Sequence, residues 1–272
     1  MTMTTSITSS PVSDGQKKQF RRFVSDAAER AAELALEQIT LDSDGMQHVL
    51  GKGDEFQSAI VATIVAKTRA LGSSKLTPER AREIMGRNSF GVEEATKHFD
   101  VKPTPAQVSI LSEIPFSEAT LESCKDTHVL VAVFPLSIIN VRSKAKSALF
   151  YDQSWYNEES FAKDNGSGVT WQLVRKTPVD NSTSKSWPEQ QALLETNEET
   201  PTVRVMAYTI IGHFLATGER LFERVYVRCV DVVSDGYRVL VGLFVAHGLL
   251  VYNDRDDNRR DYLGAASARK FD

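Results

Sequence analysis

Only two cysteines, Cys124 and Cys229, occur in 272 residues. That number excludes a disulfide-framed scaffold, and neither residue lies in the close Cys/His spacing that a structural zinc site needs. Both read as small buried hydrophobes. No apolar run approaches the roughly 18 to 20 residues that span a bilayer. The longest runs, His128 to Pro135 and Val239 to Ala246, have strand length. Met1 to Gly15 is rich in Ser and Thr and has neither a basic n-region nor an apolar h-region. It reads as a disordered tail rather than a secretory signal, so a cytoplasmic location without membrane insertion is expected. A formal net charge of −4 leaves no basic surplus for a general polyanion, and no nucleic-acid partner is expected.

Catalytic signatures are equally sparse. His48, His98, His128, His213 and His247 are scattered without ligand spacing or the context of a nucleophile. Gly51-Lys52-Gly53 and Gly166-Ser167-Gly168 lack the spacing and terminal Lys-Ser/Thr of a phosphate loop. No cofactor, metal or enzymatic activity is expected from these patterns.

What is present is a sequence in two registers. Gln16 to Gln38 carries Phe20, Phe23, Ala27, Ala31, Leu34 and Leu36 near helical spacing, which predicts an amphipathic helix whose stripe a partner surface must cover. Glu55 to Leu71 predicts a second helix. Shorter ones follow at Thr77-Pro78-Glu79 and Ser117 to Ser123, each opened by a capping hydroxyl. From Asp126 the pattern changes. Val129 to Phe134 reads as a buried strand, Val169 to Val174 as another, Ser186-Trp187-Pro188-Glu189 as a capped helix start, and Thr202 to Thr217 as a core helix ended by Gly218. Arg224 to Phe244 folds back at Ser234-Asp235-Gly236 as a β-hairpin. The expected architecture is α+β: a tail over 1–15, a helical region over 16–124, and an α+β domain over 125–272.

Asp254, Asp256, Asn258 and Asp261 alternate as calcium ligands would. Counting from Asp254, however, places Arg259 and Ala265 where a helix-loop-helix calcium loop needs Gly and a bidentate acid. Arg255, Arg259 and Arg260 lie among the acids, so a self-paired, solvated loop is the expectation. Trp155, Trp171 and Trp187 all fall in the C-terminal half, where core and interface packing outweighs a stacking platform.

Several segments carry a family resemblance. Val241-Gly242-Leu243-Phe244, Gly248-Leu249, Asp256-Asp257-Asn258-Arg259, Leu263-Gly264 and Ser267-Ala268-Arg269-Lys270 resemble the C-terminal end of variable proteins of diversity-generating retroelements. Upstream, Phe90-Gly91-Val92-Glu93-Glu94, Leu111 to Phe116, Lys125 to His128, Leu173 to Pro178 and Thr217-Gly218-Glu219-Arg220-Leu221-Phe222 are similar to a group of such proteins from uncultivated bacteria. The resemblance implies a C-type-lectin-like fold and a terminal repeat rewritten by an error-prone reverse transcriptase acting on template adenines. Randomising the adenines of AAC or AAT codons reaches every amino acid except Gln, Glu, Lys, Met and Trp. From Val239 to Ser267 none of those five occurs. The chain departs from relatives that carry Gly-Gly-Ser-Trp before the variable region, having Val241-Gly242-Leu243-Phe244 in that place.

On this reading the segment 243–265 is a ligand-binding surface. The positions expected to vary are Leu243, Val245, Ala246, His247, Leu250, Tyr252, Asn253, Asp254, Arg255, Asn258, Arg260, Asp261, Tyr262 and Ala265. Their mixture of apolar, aromatic, acidic and basic types suits a paratope on a rigid scaffold, with Tyr252, Tyr262 and the arginines as anchors and a protein as the expected ligand. The competing expectation is a structural or assembly protein, phage-related, that forms homo-oligomers through its N-terminal helices.

Overall fold

Ser13 starts the first helix. Its hydroxyl accepts from the Gln16 amide at 3.3 Å while the Gln16 side chain accepts from the Ser13 amide at 2.9 Å, a reciprocal cap that satisfies two orphan donors. The computed structural model describes residues 13–40, 42–72, 76–145 and 147–272, so most of the expected tail lies outside the described residues. The chain divides into two units, Met1–Ser74 and Lys75–Asp272.

The first unit is helical: α1 (Asp14–Gln38), α2 (Ser43–Leu50) and α3 (Gly53–Gly72). No residue of α1 or α2 is buried, and Phe20, Phe23, Leu34, Leu36 and Phe56 are exposed. Among the described residues no helix is long and apolar enough to cross a membrane.

The second unit holds the remaining helices, α4 (Pro78–Met85), α5 (Val92–Phe99), α6 (Pro105–Leu111), α7 (Glu118–Cys124), α8 (Ile138–Lys144), α9 (Ser160–Lys163), α10 (Trp187–Gln191) and α11 (Val203–Thr217). Its strands are β1 (Ser89–Phe90), β2 (His128–Val133), β3 (Thr170–Arg175), β4 (Glu198–Glu199), β5 (Tyr226–Val232), β6 (Arg238–Val245), β7 (Gly248–Asp254), β8 (Leu263–Ala265) and β9 (Ala268–Arg269). They form a five-stranded sheet, β1-β2-β3-β9-β4, and a four-stranded sheet, β7-β6-β5-β8. The chain is therefore α+β, with helices and two mixed sheets. The expected helical region ending at Cys124 spans a boundary: α4 to α7 belong with the sheets, because β1 pairs with β2 and Leu76 bridges Ile114 inside the same unit.

Sequence caps set the element starts. Thr77, Ser117 and Thr202 each accept from the amide three residues on, and Ser186 forms a reciprocal cap with Glu189. Helix α11 is the spine of the core: every residue from Val203 to His213 except Arg204 is buried, and Tyr208 packs on Phe99 at 4.6 Å and edge-on to Phe90 at 5.9 Å. Every residue of β2 is buried, as expected for an interior strand. Burying the two cysteines fits the same core; Cys229 is fully enclosed and burial pushes its thiol pKa well up, which suppresses the thiolate.

Candidate ligand-binding surface

The four-stranded sheet has two unlike faces. Val227, Cys229, Val239, Val241 and Val251 join the main core. Cross-strand partners share a face, and the registers Tyr226 with Gly242 and Leu250, and Arg228 with Leu240 and Tyr252, assemble the other one. There Tyr226, Leu240 and Leu263 form a small separate cluster, with Leu243 and Leu250 packed on it and the Tyr252 ring 6.3 Å from that of Tyr226. Burial, together with the neighbouring Tyr252 and Tyr262, pushes the Tyr226 phenol up to about 12, so it stays a neutral donor.

Fourteen positions were expected on this surface, and the structure sorts them. Ala246, His247, Tyr252, Arg255, Arg260, Asp261 and Tyr262 are exposed; Leu243, Val245, Leu250, Asn253, Asp254 and Asn258 are half-buried. Leu243, Leu250 and Tyr252 come together around Tyr226, while Ala246 and His247 form the β6–β7 turn. Asn253 pairs with the core residue Val239 and so lies at the margin of the inner face. Ala265 departs from the expectation: it is 0 % exposed. Its strand β8 runs parallel to β5, its amide donates to Ser182 Oγ at 3.0 Å and its carbonyl accepts from Val179 at 3.0 Å; the enclosed methyl group, not these main-chain bonds, leaves no room for side-chain variety.

The intervening positions have steric reasons for their identity. A Cβ on Gly242 would lie 2.1 Å from the Val225 carbonyl, one on Gly248 2.4 Å from the Phe150 backbone, and one on Gly264 2.6 Å from the Pro178 ring. Beside Gly242 the β6 register shifts, and Leu243 is held at φ 43°, a left-handed conformation rare for Leu. Phe244, Leu249, Val251 and Leu263 are buried.

The charged loop is paired partly within itself and partly from outside, with Arg259 reaching Glu189 of α10 at 2.6 Å. Arg255 pairs with Asp257 at 2.9 Å, Arg238 with Asp256 at 2.9 Å, and Arg260 approaches Asp254 at 3.9 Å; Asn258 also donates to Asp254. Among the described residues no three His, Cys, Asp or Glu side chains converge as metal ligands.

What fixes this segment is its main chain. Arg228, 0 % exposed, donates to the carbonyls of Arg255 at 3.1 Å and Asn258 at 2.6 Å, and also to Lys185 O and Gln190 Oε1. Gln190 in turn donates to Leu263 O. The amides of Trp187, Ser184 and Tyr226 donate to the carbonyls of Asp256, Arg260 and Tyr262, each at 2.8 Å. Farther along, Arg220 lies over the rings of Phe214 and Phe244 and donates to Val245 O at 2.9 Å, while Gln153 and Trp155 both donate to Val251 O. These bonds ignore which side chain the gripped residue carries.

No family model, curated protein or solved structure matches this chain. The surface therefore rests on its own geometry.

Sequence patterns did not reveal Tyr226, Arg228, Gln190 and Arg238 as parts of this region. The one available signal was a charge inside an apolar strand, Val227-Arg228-Cys229-Val230, which a buried arginine with specific acceptors explains. The tryptophans serve as packing and anchoring groups: Trp171 is buried and donates to Leu111 O, Trp155 grips β7, and Trp187 carries the Arg238 guanidinium 4.0 Å above its ring. His213 is a satisfied core histidine, 3.2 Å from Glu219.

Proposed function

We propose that the unit Lys75–Asp272 is a C-type-lectin-like display domain whose terminal surface binds a protein ligand and is diversified by adenine-directed mutagenesis from a retroelement. On this reading the chain acts by binding and not by catalysis. The carrying observation is the separation of roles between Leu243 and Tyr262: carbonyl oxygens are gripped from outside the segment, while all but four of its residues, Phe244, Gly248, Leu249 and Val251, are exposed or half-buried. Exposed substitutions away from special geometry change stability by about 0.5 kcal/mol or less, so such a surface can be rewritten without unfolding its carrier.

Of the fourteen expected positions seven are exposed and six half-buried; Ala265 is buried, so in this reading the variable set ends at Tyr262. Tyr252 and Tyr262, backed by Tyr226 and the half-buried Leu243 and Leu250, form the anchoring patch, flanked by the arginines and aspartates of the loop. A library with AAC-derived codons at those thirteen positions, displayed and panned against unrelated proteins, tests the reading. Most members should fold, and selected binders should differ only at these sites. A library that is largely unfolded, or that yields no binder to any target, would overturn it.

A further inference from the structure

The charges of α1 are arranged the wrong way round for a lone helix. Lys17, Lys18, Arg21 and Arg22 outnumber the first-turn Asp14, which pairs with Lys17, in its N-terminal half, and Asp26, Glu29, Glu33 and Glu37 outnumber Arg30 toward its C-terminus, with no basic residue in the last turn. A helix carries partial positive charge at its N-terminus and negative charge at its C-terminus, so both clusters oppose the macrodipole. Each cluster is the complement of the other end of the same helix.

The apolar side chains are arranged for a partner as well. Phe20, Val24, Ala27, Ala31 and Leu34 recur at alternating intervals of four and three, the spacing of a two-stranded seam, with Phe23 beside it. None of these residues is buried, and Phe20, Phe23 and Leu34 are exposed. Leu36 falls off this stripe. Small residues in the middle, Ala27 and Ala31, permit close approach of two backbones, and larger ones lie toward the ends.

We propose that α1 pairs with α1 of a second copy of this chain, antiparallel and centred near Ala27. In that register Phe20 lies level with Leu34 of the other copy, Lys17 level with its Glu37, and Arg21 level with its Glu33. The like-charged ends that a parallel pair would superimpose are instead set against their opposites, and each macrodipole is met by the reverse dipole of the other helix. The pairing makes the assembly carry two copies of the unit Lys75–Asp272, so weak single-site contacts gain from a raised effective concentration. The pairing itself does not depend on the ligand-binding reading; only the gain in effective concentration rests on it.

The test uses the full chain. Sedimentation at tens of micromolar should give a dimer, weakened at least tenfold by Glu33→Lys combined with Glu37→Lys and by high salt. Single cysteines then report direction; the native cysteines are buried, which keeps the background low. Ala27→Cys should cross-link to itself on oxidation with diamide. Lys17→Cys should not, because antiparallel pairing holds the two copies of that position about 30 Å apart along the axis. Mixing Lys17→Cys with Glu37→Cys chains should give the cross-linked heterodimer. A monomer, or self-linking of Lys17→Cys, would overturn the proposal.

Discussion

Arg228 donates from its buried guanidinium to the carbonyl of Asn258 at 2.6 Å, thirty residues downstream. One side chain in the middle of a strand thereby holds the loop that carries Arg255, Asn258, Arg260, Asp261 and Tyr262. Replacing it with Met should leave the Gln190 Oε1 and three carbonyls without this donor, at a cost of about 3 kcal/mol or more. Arg255→Ala and Asp261→Ala should cost less than about 1 kcal/mol, because their side chains take no part in that grip. Urea denaturation of the three variants checks the contrast.

Gly242 sits where β6 changes register, at φ 149° and against the Val225 carbonyl. Gly242→Ala should cost on the order of 3 kcal/mol or prevent folding, since backbone and not a flexible side chain must move. Loss of the thermal transition, or a midpoint lowered by many degrees, is the expected readout. Ala246→Gly, four residues on in the exposed turn, should be nearly silent.

Ala265 and Asp261 make a second matched pair. Asp261→Tyr places a ring in solvent and should shift stability by about 0.5 kcal/mol. Ala265→Tyr forces a ring between β8 and the residues packed over it, and overpacking there should cost about 3 kcal/mol or more. Equal tolerance of the two substitutions would contradict the burial of β8.

His128 gives the fold an acid limit. Its imidazole is buried, and burial, reinforced by Arg175 and Arg269 and opposed by Glu198, pushes its pKa down to about 4. An unfolded histidine titrates near 6.5, so between those values the unfolded chain holds the proton that the folded chain refuses. This contribution is complete above about pH 6.5 and is lost as pH falls toward 4, a change on the order of 3 kcal/mol. Stability measured from pH 7 to pH 4 should decline in that window, and His128→Gln should flatten the decline whatever it does to stability at pH 7.

The elements with strong local signals were legible. Hydroxyl caps at Thr77, Ser117, Ser186 and Thr202, the apolar run of β2 and the turn at Ser234-Asp235-Gly236 all mark element ends by short-range chemistry that the structure retains. Long-range pairing was not. The two-residue strand β1 has no period to read, yet its bonds to β2 draw α4 to α7 into the unit with the sheets. Ala265 looked like a surface position because its neighbours are mixed in type; its burial depends on parallel pairing with β5, more than thirty residues away. The grip on carbonyl oxygens was invisible for a related reason: main-chain acceptors leave no mark on sequence.

The central claim is that Leu243 to Tyr262 is a rewritten binding surface. Sequencing the last ~35 codons in many cells of one population, together with the flanking DNA, tests it most directly. The account predicts substitutions at the thirteen outward or half-buried positions, none at Gly242, Phe244, Gly248, Leu249, Val251, Leu263, Gly264 or Ala265, and a nearby template repeat whose adenines match the varying codons. An invariant terminus with no reverse transcriptase gene nearby would contradict it.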